Sequence, residues 1–168
     1  MITTNGTLIN QKVADELASN KVFLINISLD GFRPQTHDKL RGVQGAYMKI
    51  MQAIEYLKGR VPLQINTTVM DENLDEILDL AGFAQKNGVM ISFQPYNNMI
   101  YRLKGSDGPV KQDFTPRDIN KIDHIIGELC RLKKYNKSII DSYAQLNRMK
   151  DYYNGLLGDK KRIVKPFV

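Results

Sequence analysis

Polar side chains follow three apolar runs in the first part of this chain. The run from Val22 to Ile27 ends in Ser28-Leu29-Asp30-Gly31, and two other runs end in Thr4-Asn5-Gly6 and in Gln94-Pro95. Hydroxyl, amide and carboxylate groups bind small polar ligands because they both donate and accept hydrogen bonds. Polar ends on successive apolar runs therefore indicate one shared ligand site.

The elements that must position these groups are predicted to be parallel strands. Short apolar runs bounded by turn residues are typical of buried strands, and α/β folds bind ligands at the C-terminal ends of parallel strands. Ser28 and Asp30 are two apart, so in a regular strand they share a face. The alternative for Asp30, and for Thr4 with Asn5, is local turn and capping chemistry, and both interpretations stay open here.

Strands and helices alternate along the first 95 residues. This alternation predicts an α/β fold with parallel pairing and right-handed crossovers. Four strands are few for a closed barrel of about eight, so the sheet is either open or part of a larger barrel. The predicted strands are residues 2–4, 22–29, 62–69 and 89–94, and the predicted helices are residues 8–19, 46–58 and 73–86.

The pattern changes after Pro95. Residues 96–113 are predicted to be irregular, a helix is expected to open at Thr115 with Pro116 in its first position, and a second helix covers residues 142–156. These features divide the chain at residue 95 into a barrel part, 1–95, and a linker with a helical extension, 96–168.

Composition excludes several function classes. The 168 residues carry a net charge of +6 and a single cysteine. No apolar run reaches the roughly 20 residues of a membrane span, and one cysteine forms no internal disulfide, which favours the reducing cytoplasm. The basic excess lies in the C-terminal part, where aromatic residues do not interleave the charges, so nucleic acid is not expected as a partner.

Several side chains invite a catalytic interpretation that the sequence does not support. Asp71 is expected to cap the helix at residues 73–86, and the acidic residues on that helix to form a solvated face. His37-Asp38 is expected to fix the polar connector at residues 32–45, with at most a short helical turn there. His124 is expected on a helix, at the surface or as a packing residue, and Cys130 is expected to pack a helix. We predict no catalytic and no metal-binding residue.

Three segments taken together resemble the radical S-adenosylmethionine (radical SAM) superfamily. They are Ile2-Thr3-Thr4-Asn5-Gly6-Thr7-Leu8-Ile9, Ser28-Leu29-Asp30-Gly31 and His37-Asp38-x-Leu40-Arg41-Gly42. The likeness covers residues 1–95, with the motifs in order and at matching spacing. Beyond residue 95 it is looser and resembles the linker that in many members leads to a SPASM or twitch-like domain with an auxiliary iron–sulfur cluster.

The resemblance implies a fold and a ligand. The fold would be a partial (β/α) TIM-like barrel, of which this chain supplies four parallel strands of six, followed by a C-terminal helical segment. The ligand would be S-adenosylmethionine, near which Asp30, Arg41 and Gln94 are also candidates to face the substrate. The residues matched to contacts with S-adenosylmethionine are Thr4, Asn5, Ser28, Asp30, Asn66, Thr68 and Gln94.

The family's cluster-binding features do not occur in this sequence. Members hold a [4Fe-4S] cluster with a three-cysteine motif and contact the methionine amino group with a Gly-Gly-Glu motif, whereas this chain has one cysteine and no Gly-Gly-Glu. The intact parent would cleave S-adenosylmethionine reductively to a 5′-deoxyadenosyl radical, which abstracts hydrogen from a small-molecule or peptide substrate, as in peptide or cofactor maturation. The chain alone is expected to be a truncated, inactive fragment that binds no cluster.

The absent strands lead to an expectation about association, and two alternative functions are also considered. The strand at residues 2–4 would be an open edge, which favours self-association or a partner that supplies the missing barrel half. A non-catalytic α/β module that binds a nucleotide or acts as a scaffold is the alternative function. A hydrolase fragment with a TIM barrel is less favoured, because the strand ends offer Asp30 alone as a metal ligand or base.

Overall fold

Four parallel strands form one sheet in a computed structural model of the chain. The structure describes residues 1–97 and 113–158. Each strand pairs with the next along the chain, in the order β1-β2-β3-β4. The strands are β1 (Ile2–Thr4), β2 (Ile25–Ser28), β3 (Leu63–Val69) and β4 (Met90–Pro95). The predicted four-stranded parallel sheet is confirmed.

Six α-helices accompany the strands within the described part of the chain. They are α1 (Gln11–Ser19), α2 (Pro34–Arg41), α3 (Ala46–Leu57), α4 (Ile77–Asn87), α5 (Ile119–Lys133) and α6 (Tyr143–Gly158). A 3₁₀ helix, Asp71–Glu76, precedes α4. None of the described helices combines the length and apolar character of a membrane-crossing segment.

The connector at residues 32–45 and the start of the helix after Pro95 differ most from the sequence-based prediction. The connector at residues 32–45 was expected to hold at most a short turn, but it contains the eight-residue helix α2. Pro34 supplies a helical φ at its start, and Gly42 ends it in the left-handed region at φ 65°. The helix expected to open at Thr115 begins at Ile119 instead, because the carboxylate of Asp118 accepts a hydrogen bond from the backbone N–H of Lys121.

Asp71 does not cap the helix that follows it, so that prediction was wrong. Its carboxylate accepts a hydrogen bond from the backbone N–H of Arg117 at 2.9 Å. The side chain of Asn73 takes the capping role, because its Oδ1 accepts from the N–H of Met70 at 2.8 Å. Asp71 therefore joins the 3₁₀ helix to the segment before α5.

One side of the sheet packs against the helices. In β3 the side chains alternate between buried and half-buried along the whole strand. The buried set of β2, β3 and β4 forms one core with apolar residues of α1, α3, α4, α5 and α6. Its strand members are Ile25, Ile27, Leu63, Ile65, Val69, Ile91 and Phe93. The other side of the sheet carries polar side chains, and we call it the polar face.

The chain after α5 returns to the sheet. Ile139 forms a parallel bridge with Ile91 of β4, since the N–H of Ile91 donates to the carbonyl of Ser138 and the N–H of Ile140 donates to the carbonyl of Ile91. Helix α6 then packs into the core through Tyr153, which is fully buried. Both sides of the predicted boundary at residue 95 thus contribute to one core, and the division into two domains stays a prediction. Residues 98–112, most of the predicted irregular segment, lie outside the described residues, as do residues 159–168.

Candidate functional site

Polar side chains from three neighbouring strands lie side by side on the polar face. Ser28 is in register with Asn66, and Asn66 is in register with Ser92. Residues in register on parallel strands point to the same side, about 4.8 Å apart. Two residues further along, Thr68 is level with Gln94, and Gln94 is exposed. The structure therefore brings together four of the seven predicted contact residues, with Ser92 as an addition.

The hydrogen bonds on this face orient two of its side chains. The side-chain N–H of Gln64 donates to Oδ1 of Asn66 at 2.6 Å, which leaves the Asn66 amide N–H groups to act as donors. Asn26 lies two residues before Ser28 on β2, and its side-chain oxygen is buried with no partner among the described residues. The face thus offers both a donor and an acceptor to a ligand.

Thr4 and Asn5 lie apart from this group. Thr4 is in register with Ile27, whose side chain belongs to the helix-packed core, and its hydroxyl accepts from the N–H of Gly6 at 3.0 Å. Asn5 is exposed, and its Oδ1 accepts from the N–H and the hydroxyl of Thr7. Both residues carry out turn chemistry that holds Gly6 at φ 75°, and their predicted contact with S-adenosylmethionine stays a prediction.

Asp30 is buried in a network that joins β2 to β3. One carboxylate oxygen pairs with Arg41 at 2.6 Å, and the other accepts from the N–H of Thr68 at 2.8 Å. The amide of Asn73 donates to the carbonyls of both Asp30 and Thr68 at 2.7 Å. Both carboxylate oxygens thus have protein partners, but neither accepts from a backbone N–H of the segment that follows Asp30, so the side chain joins β2 to β3 and does not cap, and its predicted ligand contact stays a prediction.

Burial shapes the protonation of this network. It raises the pKa of Asp30, although the nearby guanidinium of Arg41 acts in the opposite direction. His37 is fully buried, and its Nδ1 accepts from the N–H of Asp30 at 3.1 Å. Burial, assisted by Arg41, lowers the pKa of His37 to about 4. His37 is therefore a neutral acceptor that fixes the chain after β2, as predicted for the connector.

Asp38 completes the fixing of the connector. Its carboxylate accepts from the N–H groups of Gly45 and Tyr47, at 2.5 and 2.8 Å. The hydrogen bond from Tyr47 is the main cause that lowers the pKa of Asp38. These bonds place a negative charge at the N-terminus of α3, where the helix dipole favours it.

Glu76 is buried, which corrects the prediction that it belongs to a solvated acidic face. Its Oε2 accepts from the N–H groups of Phe32 and Arg33 at 2.7 and 2.9 Å, and its Oε1 accepts from the hydroxyl of Thr36 at 2.5 Å. Arg33 also pairs with it at 3.6 Å. Glu76 thus holds the N-terminus of α2 against the 3₁₀ helix. No local pattern marks it, because its partners lie 40 or more positions away.

A second buried carboxylate, Asp141, reaches the polar face from the returning chain. It accepts from the hydroxyl of Ser92 at 2.7 Å and from the N–H of Phe93 at 2.8 Å. Burial raises its pKa. Sequence reasoning did not identify Asp141, although an acidic residue directly after Ile139-Ile140 in a strand-like run is an available signal.

The described residues do not fit a [4Fe-4S] cluster. They contain no group of three or more His, Cys, Asp or Glu side chains placed to hold a metal ion. Cys130, the chain's one cysteine, lies on α5 and packs against the core. Burial raises the pKa of its thiol, which disfavours the thiolate that binds iron. His124 lies on the same helix and is exposed, which is one of the two placements expected for it.

The sequence matches a known family over its first half. Residues 1–84 match the family model described as "Radical SAM superfamily". The chain belongs to the radical SAM superfamily. This membership accounts for the parallel sheet, which in the family is part of a barrel.

Curated relatives of this radical SAM chain are longer proteins. It is 30% identical over 135 residues to an AdoMet-dependent heme synthase of Methanosarcina barkeri, covering 80% of this chain and 37% of that protein. It is 30% identical over 157 residues to a probable GTP 3′,8-cyclase of Methanococcus aeolicus, covering 92% of this chain and 46% of that protein. The chain thus spans less than half the length of these curated relatives.

Solved structures share the fold of this radical SAM chain. One is described as native anSMEcpe with bound AdoMet, with a TM-score of 0.59, 20% identity, and coverage of 77% of this chain and 35% of that one. Another is Streptococcus suis SuiB bound to S-adenosylmethionine, with a TM-score of 0.58, 17% identity, and coverage of 81% and 29%. The described sheet and helices are therefore a partial barrel of the radical SAM type.

Proposed function

We propose that this chain supplies the S-adenosylmethionine-facing part of a radical SAM enzyme. The observation that carries the proposal is the row of Ser28, Asn66 and Ser92, which lies in register across three parallel strands of a radical SAM fold. Ribose hydroxyls and the amino acid moiety of S-adenosylmethionine need alternating donors and acceptors, which this row offers. The cofactors of the family supply the radical chemistry, and these residues supply binding and orientation.

The roles of the contact residues follow from their placement. Ser28 and Asn66 bind the nucleoside, and Thr68 and Gln94 extend the same face toward the strand ends. Arg41, whose side chain is one-third exposed while it pairs with Asp30, offers its remaining N–H donors to an anionic group of cosubstrate or substrate. The substrate of the assembled enzyme is a small molecule or a peptide.

The [4Fe-4S] cluster of this enzyme is held by polypeptide other than these 168 residues. The argument is the donor set, since the chain has one cysteine and a cluster needs several thiolates. We therefore propose that the chain alone cleaves no S-adenosylmethionine. A chain with no internal disulfide suits a reducing compartment, and we place the enzyme in the cytoplasm.

A partner pairs with the free edge of β1. Ile2 is 39% exposed on this strand. An unpaired strand edge with apolar side chains favours strand addition. The partner is a second copy of the chain or a cysteine-bearing half-barrel. Ile2→Lys should abolish concentration-dependent association in light scattering, whereas Leu8→Lys, at a residue 85% exposed outside the strand, should not. Association unchanged by Ile2→Lys would contradict this partner site.

Calorimetric titration with S-adenosylmethionine tests the binding proposal. The double variant Ser28→Ala/Asn66→Ala should bind at least about fivefold more weakly, since two hydrogen bonds are worth roughly 1–3 kcal/mol together. Ser19→Ala on α1 is the control, because its exposed hydroxyl bonds only within that helix. Equal affinities for all three proteins, or no binding by the wild type, would overturn the proposal.

The one-cysteine composition also supports a second candidate, a nucleotide-binding module without catalysis. Anaerobic reconstitution with iron and sulfide, followed by assay for 5′-deoxyadenosine, separates the candidates when a cysteine-bearing half-barrel is added. The enzyme part should yield product only in the mixture, whereas the module should bind S-adenosylmethionine and yield none. Product from the chain alone would contradict both.

A further inference from the structure

Asp141 belongs to the returning chain after α5 yet reaches the polar face. It is 5% exposed, and its side chain lies beside β4 because of the bridge between Ile91 and Ile139. Its two oxygens have different partners, the hydroxyl of Ser92 on one side and the N–H of Phe93 on the other. The backbone bond fixes the carboxylate, and the carboxylate in turn fixes the serine.

The Ser92–Asp141 hydrogen bond determines what Ser92 can offer a ligand. An ionised carboxylate only accepts hydrogen bonds, whereas a serine hydroxyl has one proton to donate and two lone pairs. The 2.7 Å contact therefore uses the single proton of Ser92. Its remaining lone pairs make Ser92 a hydrogen-bond acceptor.

The neighbour of Ser92 has the opposite polarity. Asn66 is in register with Ser92, and its oxygen is already taken by Gln64, so its amide presents N–H donors. A donor and an acceptor thus stand on adjacent strands, whose backbones are about 4.8 Å apart. On the same face, Asn26 of β2 is in register with Gln64. It adds a buried side-chain oxygen that has no partner among the described residues.

We propose that Asp141 is a positioning residue that fixes Ser92 as an acceptor for a hydroxyl or amino group of S-adenosylmethionine. This inference rests on the proposed function, because it takes the polar face to be the binding site. It adds a polarity to that site: the ligand group at Ser92 donates, and a ligand group that only accepts is rejected there.

Reversal of the hydrogen bond tests the proposal. In Asp141→Asn the amide oxygen still accepts from the N–H of Phe93, but the amide N–H donates to Ser92, whose proton then turns toward the ligand. Two donors face each other, so affinity for S-adenosylmethionine should fall about tenfold or more. Ser92→Ala should cause a smaller loss, about threefold to tenfold, because it removes the acceptor without adding a repulsive donor.

The decisive protein is the double variant Asp141→Asn/Ser92→Ala. It should bind as well as Ser92→Ala alone, so that removal of the serine rescues the Asp141→Asn variant. A purely structural role for Asp141 predicts the reverse, a double variant at least as weak as Asp141→Asn. Asp151→Asn, at an exposed carboxylate on α6, is the control and should bind like the wild type.

The outcomes separate this inference from the proposed function. A wild type that binds S-adenosylmethionine, together with a double variant that shows no rescue, overturns the inference alone. Should Asp141→Asn fail to fold in circular dichroism, Ser92→Ala decides, because unchanged affinity in that variant also overturns the inference. A wild type without affinity removes the proposed function and this inference with it.

Discussion

The chain turns after β1 and after β2 in two different ways. After β1, the side chains of Thr4 and Asn5 bond to Gly6 and Thr7, two positions away, and Asn5 is exposed. After β2, Asp30 and the backbone up to Arg33 are bonded to groups from β3, the 3₁₀ helix and α2. One turn is held by its own sequence, and the other by distant residues.

This difference indicates how rigid each part of the candidate site is. A turn closed by exposed local bonds opens at little cost, because water replaces those bonds. A loop held by buried carboxylates opens only when several charged groups lose their partners. Ser28 should therefore be held firmly at its end of the face, whereas Asn5 remains free to adjust to a ligand.

The largest expected effect is at Glu76, which holds the loop after β2, called the second loop below; the turn after β1 is the first loop. Glu76→Gln should lower the free energy of unfolding by roughly 3 kcal/mol, because the new amide N–H group faces backbone donors in a buried place. Urea denaturation measures the loss. Asp79→Asn, an exposed carboxylate in the first turn of α4, should cost less than about 1 kcal/mol. Similar losses would mean that the buried bonds of Glu76 do not hold the loop after β2 as described.

Acid should weaken the second loop through His37. The folded protein keeps His37 neutral down to about pH 4, while the unfolded chain protonates it below about 6.5. Stability is therefore full above pH 6.5 and falls as the pH drops to 4, by about 3 kcal/mol. The raised pKa of Asp30 opposes this at the acid end, because the folded state takes up that proton first.

Replacement of His37 isolates its share of the acid sensitivity. His37→Asn retains an acceptor near the N–H of Asp30 but cannot be protonated, so thermal unfolding between pH 7 and 4 should show a flatter slope than in the wild type. His124→Asn, on the exposed surface of α5, is the matched control and should keep the wild-type slope. An unchanged slope in His37→Asn would rule out His37 as the acid-sensitive group.

A smaller effect is expected for Asp30→Asn, about 1–2 kcal/mol. The amide still accepts from the N–H of Thr68, and Arg41 can turn to solvent because its side chain is one-third exposed. Chemical denaturation measures the change. Asp15→Asn breaks an exposed pair with Arg60 and should cost less stability than Asp30→Asn, because solvent screens the pair. A larger loss in the control would show that burial does not set the strength of these pairs.

The smallest stability change is expected in the first loop. Asn5→Ala should lower the free energy of unfolding by less than about 1 kcal/mol, since water replaces its exposed bonds to Thr7. The same variant sharpens the comparison through binding, because weaker titration with S-adenosylmethionine would show that Asn5 contacts the ligand. A large loss of stability would instead mean that the turn after β1 is as rigid as the turn after β2.

Local patterns predicted most of the elements. The N-cap Asn10 accepts from the N–H of Val13, and Gly88 ends α4 in the left-handed conformation. Asn and Gly are residue types favoured at these two positions. Apolar and polar side chains alternate in β3, and this alternation shows that Asn66 and Thr68 lie on the polar face. These signals lie within a few residues of what they determine, so a sequence can show them.

The long-range contacts could not be predicted in the same way. Glu76 has the composition of a solvated helix face, and only its approach to α2 makes it buried. The bridge at Ile139 brings Asp141 next to Ser92, which lies 49 positions earlier in the sequence. For α2 a local signal did exist, in Pro34 and Gly42, but the glycines around it favoured a loop. Strand register, which no motif shows, places Thr4 level with the core residue Ile27, and its contact with S-adenosylmethionine stays a prediction.

The bridge between Ile91 and Ile139 has a consequence for the order in which the protein gains structure. Every strand up to β4 pairs with the strand before it, so each β-α unit can join as soon as the ribosome releases it. The chain around Ile139 must wait for α5, because non-local contacts form at a higher entropic cost. The amide hydrogens of Ile91 and Ile140 should therefore gain protection from solvent exchange after those of β2 and β3.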